Sequence, residues 1–129
     1  MNLQKRVTAD APLLELLGIR CGDLDEPIVL YLDVRQEMIN AGGMCHGGFL
    51  YSLADTACAY SLSQAGVAAA TLDASITYLK PAHAGETVIA RANVLKLGRR
   101  VCHSEVRLET ASGELLATFR GTCVNATGN

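Results

Sequence analysis

The stretch Asn40-Ala-Gly-Gly-Met-Cys-His-Gly-Gly-Phe-Leu-Tyr-Ser-Leu-Ala-Asp55 leads into a largely apolar segment that reaches Gly66. A glycine loop followed by such a segment predicts one long helix over residues 47–65, ended by Gly66. No Lys, Arg or Glu occurs between residues 38 and 72, and Asp55 is the only carboxylate in that window. Helices that are apolar on nearly every side are usually buried, and a buried carboxylate is costly unless something pairs with it or uses it. Asp55 is therefore the first candidate for a functional side chain.

After this helix the chain alternates apolar and polar residues in four runs. The runs cover residues 70–80, 87–97, 101–109 and 115–124. Short glycine-containing segments separate them, at residues 81–85, 98–99 and 112–113. Because such turns connect antiparallel hairpins, we predict a four-strand meander in the second half of the chain.

Shorter elements precede the glycine loop. Residues 11–17 carry leucines at helical spacing, with Asp10 as the expected N-cap and Pro12 in the first turn, so we predict a short amphipathic helix that covers a sheet edge or pocket mouth. Residues 19–22 and 28–35 show strand-like alternation. The whole pattern predicts an α+β fold, a single domain over residues 1–129 in which one antiparallel sheet wraps around one long central helix.

Composition limits the possible partners. The 129 residues are 50% hydrophobic and carry a formal net charge of −2, without a run of Lys or Arg. Nucleic-acid binding needs a basic surface that this chain lacks, so we expect small molecules or further copies of the chain as partners, and neither nucleic acid nor membrane. The first residues show no apolar signal segment, which predicts a cytoplasmic location. Five cysteines without a CxxC pair then predict free thiols.

Two motifs and the order of elements resemble the PaaI family of hotdog-fold acyl-CoA thioesterases, the phenylacetate-pathway thioesterases. The first motif is Asn40-x-x-Gly-x-x-His46-Gly-Gly, with Asp55 nine residues beyond the histidine. The second is Thr71-Leu-Asp-Ala-Ser-Ile-Thr-Tyr-Leu-Lys-Pro-Ala, with Gly-Glu at residues 85–86 and Leu-Gly-Arg at residues 97–99. The resemblance runs from about residue 11 to residue 123.

This resemblance implies a hotdog fold and hydrolysis of acyl-CoA to free acid and coenzyme A. The implied substrates are (hydroxy)phenylacetyl-CoA, in phenylacetate catabolism, or other aromatic and medium-length acyl-CoA thioesters. The resemblance also implies a homodimer with the two sheets joined edge to edge, paired further into a homotetramer. No cofactor is expected, since coenzyme A is part of the substrate.

Gly47 and Gly48 stand where the central helix is predicted to start. The first N–H groups of a helix have no partner within it and lie at its positive end, and glycine lets a ligand approach the backbone closely. A plain glycine turn would show the same pattern. The resemblance implies that the Gly47 N–H polarises the thioester carbonyl, with Gly48 beside it in the substrate-binding site.

Asp55 can supply the remaining chemistry. A carboxylate can attack a carbonyl carbon or take a proton from water. The alternative is a carboxylate satisfied by a neighbouring hydroxyl, that of Ser52, Thr56 or Thr71. By resemblance, Asp55 is the nucleophile or the general base and reaches a carbonyl bound by the other subunit.

Asn40, His46 and Thr71 complete the catalytic set that the resemblance implies. The Asn40 amide both donates and accepts and would orient water or thioester, although asparagine after a strand is often only a turn residue. His46 either donates to the thioester or closes the loop by bonding the backbone. Thr71 matches a family position near the attacking water, and threonine is also a good strand former.

Lys80, Arg99 and Arg100 lie in or beside predicted turns, where family members contact the phosphates of coenzyme A. Surface Lys and Arg are also commonly just solvated. By the same comparison Asp73, Tyr78 and Glu86 match family positions, and we assign them structural roles.

The sequence argues against two other kinds of site, a cysteine nucleophile and a metal centre. Cys45 next to His46 suggests a thiolate nucleophile, but adjacent loop residues rarely point at each other. His46, His83 and His103 lack the spacing of a metal site, so no metal is expected. Two rival functions remain open: a hotdog hydratase or dehydratase, and a non-catalytic acyl-CoA-binding protein.

Overall fold

A computed structural model describes residues 2–126, which form three α-helices and one six-stranded sheet. The helices are α1 (Leu3–Ala9), α2 (Ala11–Leu17) and α3 (Gly47–Gln64), with a short 3-10 turn at Gln36–Met38. The strands are β1 (Ile19–Cys21), β2 (Ile28–Asp33), β3 (Ala69–Tyr78), β4 (Thr87–Leu97), β5 (Val101–Thr110) and β6 (Leu115–Asn125).

Helix α3 lies at the centre of the molecule, as its composition predicts. Leu53, Ala54, Ala57 and Cys58 are fully buried in the core, and the helix packs against every strand from β2 to β6. The small alanines let the sheet approach closely, and the sheet encloses the helix. The predicted antiparallel sheet around one long helix is confirmed. No helix within residues 2–126 is long and apolar enough to cross a membrane.

The strand order is β1-β2-β4-β5-β6-β3, and every neighbouring pair is antiparallel. The predicted four-strand meander is therefore wrong at one position, because β3 pairs with β6 rather than with β4. Residues 79–86 resemble a hairpin turn in sequence but cross one end of the sheet. The Lys80 N–H bonds to the Leu116 carbonyl beside β6, and the Gly85 N–H bonds to the Val34 carbonyl beyond β2. Strand β2 takes the edge of β4 that a hairpin would have used.

Strand β3 forms one edge of the sheet and carries a β-bulge. Its register with β6 shifts between Thr71 and Asp73, and the intervening Leu72 is 65% exposed. Bulges bend a strand and re-aim its side chains. An edge strand also presents unpaired N–H and C=O groups, which can pair with another chain.

The N-terminal helices pack near the C-terminal end of α3. Helix α2 has the predicted bounds and contacts β1. Helix α1 is not predicted, because none of its residues is fully buried and only Leu3 and Val7 pack partly against the core. Asp10 precedes α2 but does not cap it through its side chain, which corrects the expected N-cap. Its carboxylate instead accepts a 2.7 Å hydrogen bond from Tyr60, since a buried tyrosine hydroxyl needs an acceptor.

Candidate active site

The N-terminus of α3 offers a free backbone donor. His46 is the N-cap, and its Nδ1 accepts a 2.8 Å hydrogen bond from the Gly48 N–H. This bond requires an unprotonated Nδ1. The Gly47 N–H has no hydrogen-bond partner among residues 2–126, and it lies at the positive end of the helix dipole. His46 thus bonds the backbone, one of its two anticipated roles, while a role for its Nε2 toward substrate stays a prediction.

Neighbouring side chains explain why both residues that start α3 are glycines. A Cβ on Gly47 would lie 2.9 Å from the Cζ and Oη atoms of Tyr78, and a Cβ on Gly48 would lie 2.9 Å from His46 Nδ1. Tyr78 Oη also donates a 2.8 Å hydrogen bond to the Gly47 carbonyl. Tyr78 therefore fills part of the space beside Gly47, and a ligand bound there would occupy the rest.

Asn40 organises the loop that precedes the helix. Its Oδ1 accepts from the N–H groups of Gly42 (2.9 Å) and Met44 (3.3 Å), and its own N–H donates to the Met44 carbonyl at 2.8 Å. The turn role anticipated for this residue is thus present. Asn40 also lines the adjacent cavity, where its side-chain nitrogen can meet a ligand, and its catalytic role stays a prediction.

A cavity of about 410 Å³ opens beside Gly47, a volume suited to a small-molecule ligand. The loop, the first turns of α3 and the segment after β3 form its largely apolar walls. The other lining side chains are Met44, Cys45, Leu50, Tyr78, Leu79, Lys80, Pro81 and Ala82.

Cys45 is not poised as a nucleophile. Its Sγ lies 3.7 Å from the His46 carbonyl rather than on the imidazole, and burial raises the pKa of its thiol. The thiolate alternative therefore gains no support. Within residues 2–126, no three His, Cys, Asp or Glu side chains cluster as a metal site would require.

Asp55 lies in the middle of α3 and is partly buried. Thr71 donates a hydrogen bond of 3.2 Å to its Oδ1. Within residues 2–126 no basic side chain forms an ion pair with it. One turn further along, burial and the nearby Cys123 raise the pKa of the Cys58 thiol to about 12. The bond to Thr71 is one that the structural alternative anticipates, and the role of Asp55 as nucleophile or base stays a prediction.

Asp55 and Gly47 are too far apart to act on one carbonyl from the same chain. They lie eight residues apart on one helix, which is about 12 Å along its axis. Reacting atoms need an approach of about 3–3.5 Å. The cavity beside Gly47 accordingly includes neither Asp55 nor Thr71 in its lining. Each chain thus holds two candidate half-sites, one at Gly47 and one at Asp55.

The three residues predicted to contact the phosphates of coenzyme A do not lie together in one chain. Lys80 lines the cavity, and its Nζ pairs with Glu114 at 2.6 Å. Arg99 and Arg100 lie at the other end of the sheet, where the Arg100 carbonyl accepts from the N–H of Asn125, the last residue of β6. Lys80 lies beside the start of β6, so about 30 Å of strand separates it from Arg100.

The sequence does not reveal that Tyr78 bonds the start of α3 or that Glu114 pairs with Lys80. Tyr78 matches a family position with a predicted structural role, and Glu114 belongs to no motif. No local pattern could reveal them, because Tyr78 contacts Gly47 across 31 residues and Glu114 contacts Lys80 across 34 residues.

Comparison with known proteins adds independent information. The family model described as the thioesterase superfamily matches residues 42–117. The acyl-coenzyme A thioesterase PaaI of Escherichia coli K12 is 37% identical over 106 residues, which are 81% of this chain and 76% of that protein. Human acyl-coenzyme A thioesterase 13 is 34% identical over 98 residues, 74% of this chain and 70% of that protein.

The solved structure of the E. coli PaaI protein, from the phenylacetic acid degradation operon, matches with a TM-score of 0.87 at 32% sequence identity. The match covers 95% of this chain and 94% of that chain. The residues matched by the family model include most of the glycine loop, all of α3 and strands β3, β4 and β5. The predicted hotdog fold is therefore confirmed, and the chain belongs to the thioesterase superfamily, as a hotdog-fold protein of the PaaI type.

Proposed function

We propose that this protein hydrolyses acyl-CoA thioesters to a free acid and coenzyme A. The observation that carries the proposal is the Gly47 N–H, which has no partner within residues 2–126 and lies beside a largely apolar cavity. A thioester oxygen seated there gains a backbone donor and the helix dipole as negative charge develops. The names of the E. coli and human relatives, both acyl-coenzyme A thioesterases, support the same reaction.

Asp55 acts as the general base or the nucleophile. As base, it takes a proton from water, hydroxide adds to the carbonyl carbon, and collapse of the tetrahedral intermediate breaks the C–S bond and releases the coenzyme A thiolate, which then gains a proton. As nucleophile, it adds to the carbonyl directly, the thiolate leaves, and water hydrolyses the mixed anhydride. In a single turnover in isotopically labelled water, label entering Asp55 identifies the second route, because the first forms no bond to Asp55.

The Asp55 of one copy serves the Gly47 of another, since about 12 Å of helix separates them within a chain. Strand β3 suggests how two copies combine. Thr71 near its start bonds Asp55, and Tyr78 at its end bonds Gly47. Antiparallel pairing of two β3 strands along their edges places the N-terminal end of one strand against the C-terminal end of the other. The half-site at Asp55 of one copy then meets the half-site at Gly47 of the other.

The surface along this edge supports such pairing. Leu72, Tyr78 and Leu79 are 65%, 49% and 52% exposed in the single chain, and a second copy would cover them. We propose a homodimer of this kind, paired further into a homotetramer, in the cytoplasm. Sedimentation velocity over a range of concentrations tests both states.

The other candidate residues take supporting roles. Thr71 orients the carboxylate, while Asn40 and His46 contact the thioester or its water through the side-chain nitrogens that the loop leaves free. The Gly48 N–H bonds the N-cap residue His46. Lys80 binds a phosphate of coenzyme A. Arg99 and Arg100 contribute from the partner, because antiparallel pairing brings their end of the sheet toward the other cavity.

The cavity favours an aromatic or medium-length acyl group, because its walls are mainly apolar and Asn40 is one of its few polar side chains. Phenylacetyl-CoA and its ring-hydroxylated forms fit this description, and the origin of the E. coli relative in a phenylacetic acid degradation operon supports them. A thiol-release assay with aromatic, medium-chain and long-chain acyl-CoA identifies the preferred group.

Mixing two inactive variants tests both the hydrolysis and the shared site, in which Gly47 of one copy acts together with Asp55 of another. Asp55→Asn removes the carboxylate. Gly47→Pro removes the N–H at the first helical position, where proline is tolerated, and adds a ring whose Cβ lies near Tyr78. Gly47→Ala is the matched control, because it adds the same Cβ but keeps the donor. When the Asp55→Asn and Gly47→Pro proteins are unfolded and refolded together, random pairing leaves about a quarter of the sites intact.

We expect each variant alone to lose most of its turnover and the mixture to recover about a quarter of wild-type turnover. A mixture as inactive as its parts would contradict the shared site. Tight binding of acyl-CoA without thiol release by the wild type would favour a non-catalytic binder, and hydration of an enoyl-CoA would favour a hydratase.

A further inference from the structure

The peptide unit between Gly47 and Gly48 is held at both ends. Its oxygen accepts a 2.8 Å hydrogen bond from Tyr78 Oη, and its N–H donates a 2.8 Å hydrogen bond to His46 Nδ1. Glycine residues rotate more freely than any other, so a peptide between two glycines in the first turn of α3 is less restrained by its own backbone than other helical peptides. The two side chains add to the helix backbone in holding the plane of this peptide.

Holding that plane also restrains the direction of the Gly47 N–H. The torsions φ and ψ of Gly47 together relate its N–H to its carbonyl. Because both are already limited at the first residue of α3, a carbonyl held by Tyr78 leaves the N–H little freedom. The Tyr78 ring reinforces this by packing closely beside residue 47, because its Cζ and Oη lie 2.9 Å from the place that a Cβ would take. The Gly47 N–H is the donor on which the proposed hydrolysis depends, and Tyr78 is the only side chain among residues 2–126 that bonds the carbonyl of Gly47.

We propose that Tyr78 is a positioning residue for thioester hydrolysis: its hydroxyl holds the Gly47 carbonyl and thereby aims the Gly47 N–H at the substrate oxygen. The inference rests on the proposed function. Donors to a developing oxyanion must be aligned before the reaction to contribute fully. A donor free to swing would spend part of its time turned away from the oxygen, which lowers turnover without changing the apolar walls that bind the acyl group.

Tyr78→Phe tests the proposal because it removes one oxygen and keeps the ring as a cavity wall. We expect kcat to fall about 5- to 10-fold, the effect of losing one neutral hydrogen bond, and KM to stay within about twofold, since a contact realised in the transition state appears in kcat. Tyr31→Phe is the matched control. Tyr31 lies on β2, where its ring contacts the Arg20 guanidinium.

Backbone amide exchange of Gly48 gives a second measurement that needs no substrate. Tyr78 does not touch this N–H, but it holds the oxygen of the same peptide. We expect exchange at Gly48 to quicken about fivefold in Tyr78→Phe and to stay unchanged in Tyr31→Phe. A general loss of stability would instead raise exchange throughout α3.

The outcomes separate this inference from the proposed function. An active wild type whose Tyr78→Phe variant keeps its kcat contradicts the inference alone. A lower kcat with unchanged Gly48 exchange also contradicts it, because Tyr78 would then act on the substrate and not through Gly47. A wild type that releases no thiol from any acyl-CoA contradicts the proposed function, and the inference with it.

Discussion

The Thr71 hydroxyl donates a 3.2 Å hydrogen bond to the Asp55 carboxylate. Within residues 2–126 it is the only hydrogen bond to the Asp55 side chain. A β-bulge places the donor: the register of β3 against β6 shifts directly after Thr71. The bulge thus links the geometry of an edge strand to the candidate catalytic carboxylate.

Thr71→Val should therefore reduce turnover while the fold persists. Valine keeps the branched shape that suits a strand but leaves Asp55 without its donor, so we expect kcat to fall about tenfold. Thr71→Ser, which retains the hydroxyl, should stay near the wild type. Thiol release under saturating substrate measures the effect, and equal kcat for the two variants would show that the bond has no catalytic role.

Gly121 should not tolerate a side chain while Cys58 is present. A Cβ at Gly121 would lie 2.6 Å from Cys58 Sγ, and both residues are buried between β6 and α3. We expect Gly121→Ala to lower the free energy of unfolding by about 1–3 kcal/mol through overpacking. Adding Cys58→Ala should restore part of this loss, because it removes the colliding sulfur.

Urea unfolding of the two single variants and the double variant measures this coupling. In the Cys58→Ala background the alanine at position 121 should be neutral or slightly stabilising, since glycine weakens a strand interior. Additive losses would mean that the close approach does not govern stability.

The hydrogen bond from Tyr60 to Asp10 should anchor the N-terminal helices. The tyrosine is fully buried, and both its burial and the adjacent carboxylate raise the pKa of its hydroxyl. We expect Tyr60→Phe to cost about 1–3 kcal/mol, because the lost bond involves a charged acceptor. Cleavage within residues 3–17 by an added protease should then quicken.

Asp10→Asn provides the matched control, since asparagine keeps an acceptor oxygen at the same place. It should unfold at a urea concentration between those of the wild type and Tyr60→Phe. Unchanged protease sensitivity in Tyr60→Phe would show that apolar packing alone secures α1 and α2.

Much of this fold could be predicted because its signals are local. The apolar run that begins at Gly47 identifies α3, and glycine turns identify the hairpins that join β4, β5 and β6. The pairing of β3 with β6 could not be predicted, because it joins residues as distant as Thr71 and Cys123. Helix α1 is not predicted for a different reason: only Leu3 and Val7 pack partly against the core, and two such residues are too few to show a helical period.

The candidate site likewise combines residues with local sequence signals and contacts between residues distant in sequence. Asn40, His46 and the glycine pair lie within nine residues, in the loop and at the start of α3, so a motif could identify them. All five cysteines are free as predicted. The separation of Gly47 from Asp55 follows from helix geometry alone, because eight helical residues span about 12 Å. The contact between Tyr78 and Gly47 depends on the complete fold, and no pattern near either residue indicates it.

Stability at acid pH should depend on Asp33. Its carboxylate accepts hydrogen bonds from Arg20 (2.8 and 3.0 Å) and Thr87 (2.7 Å), and these donors, Arg20 foremost, lower its pKa to about 2. An aspartate in an unfolded chain has a pKa of about 3.9. Between about pH 2 and pH 4 the unfolded chain therefore binds more protons than the folded one, and the free energy of unfolding rises with pH.

This contribution is complete above about pH 4 and is lost as the pH falls through about 2. Solvent screening keeps it small, because both partners are more than half exposed. Asp33→Asn should flatten the pH dependence of urea unfolding in that window, and added salt should reduce the wild-type slope in the same direction. Asp25→Asn serves as the control, since the Asp25 side chain forms no ion pair within residues 2–126. If Asp33→Asn kept the wild-type slope, the acid sensitivity would have to come from other carboxylates.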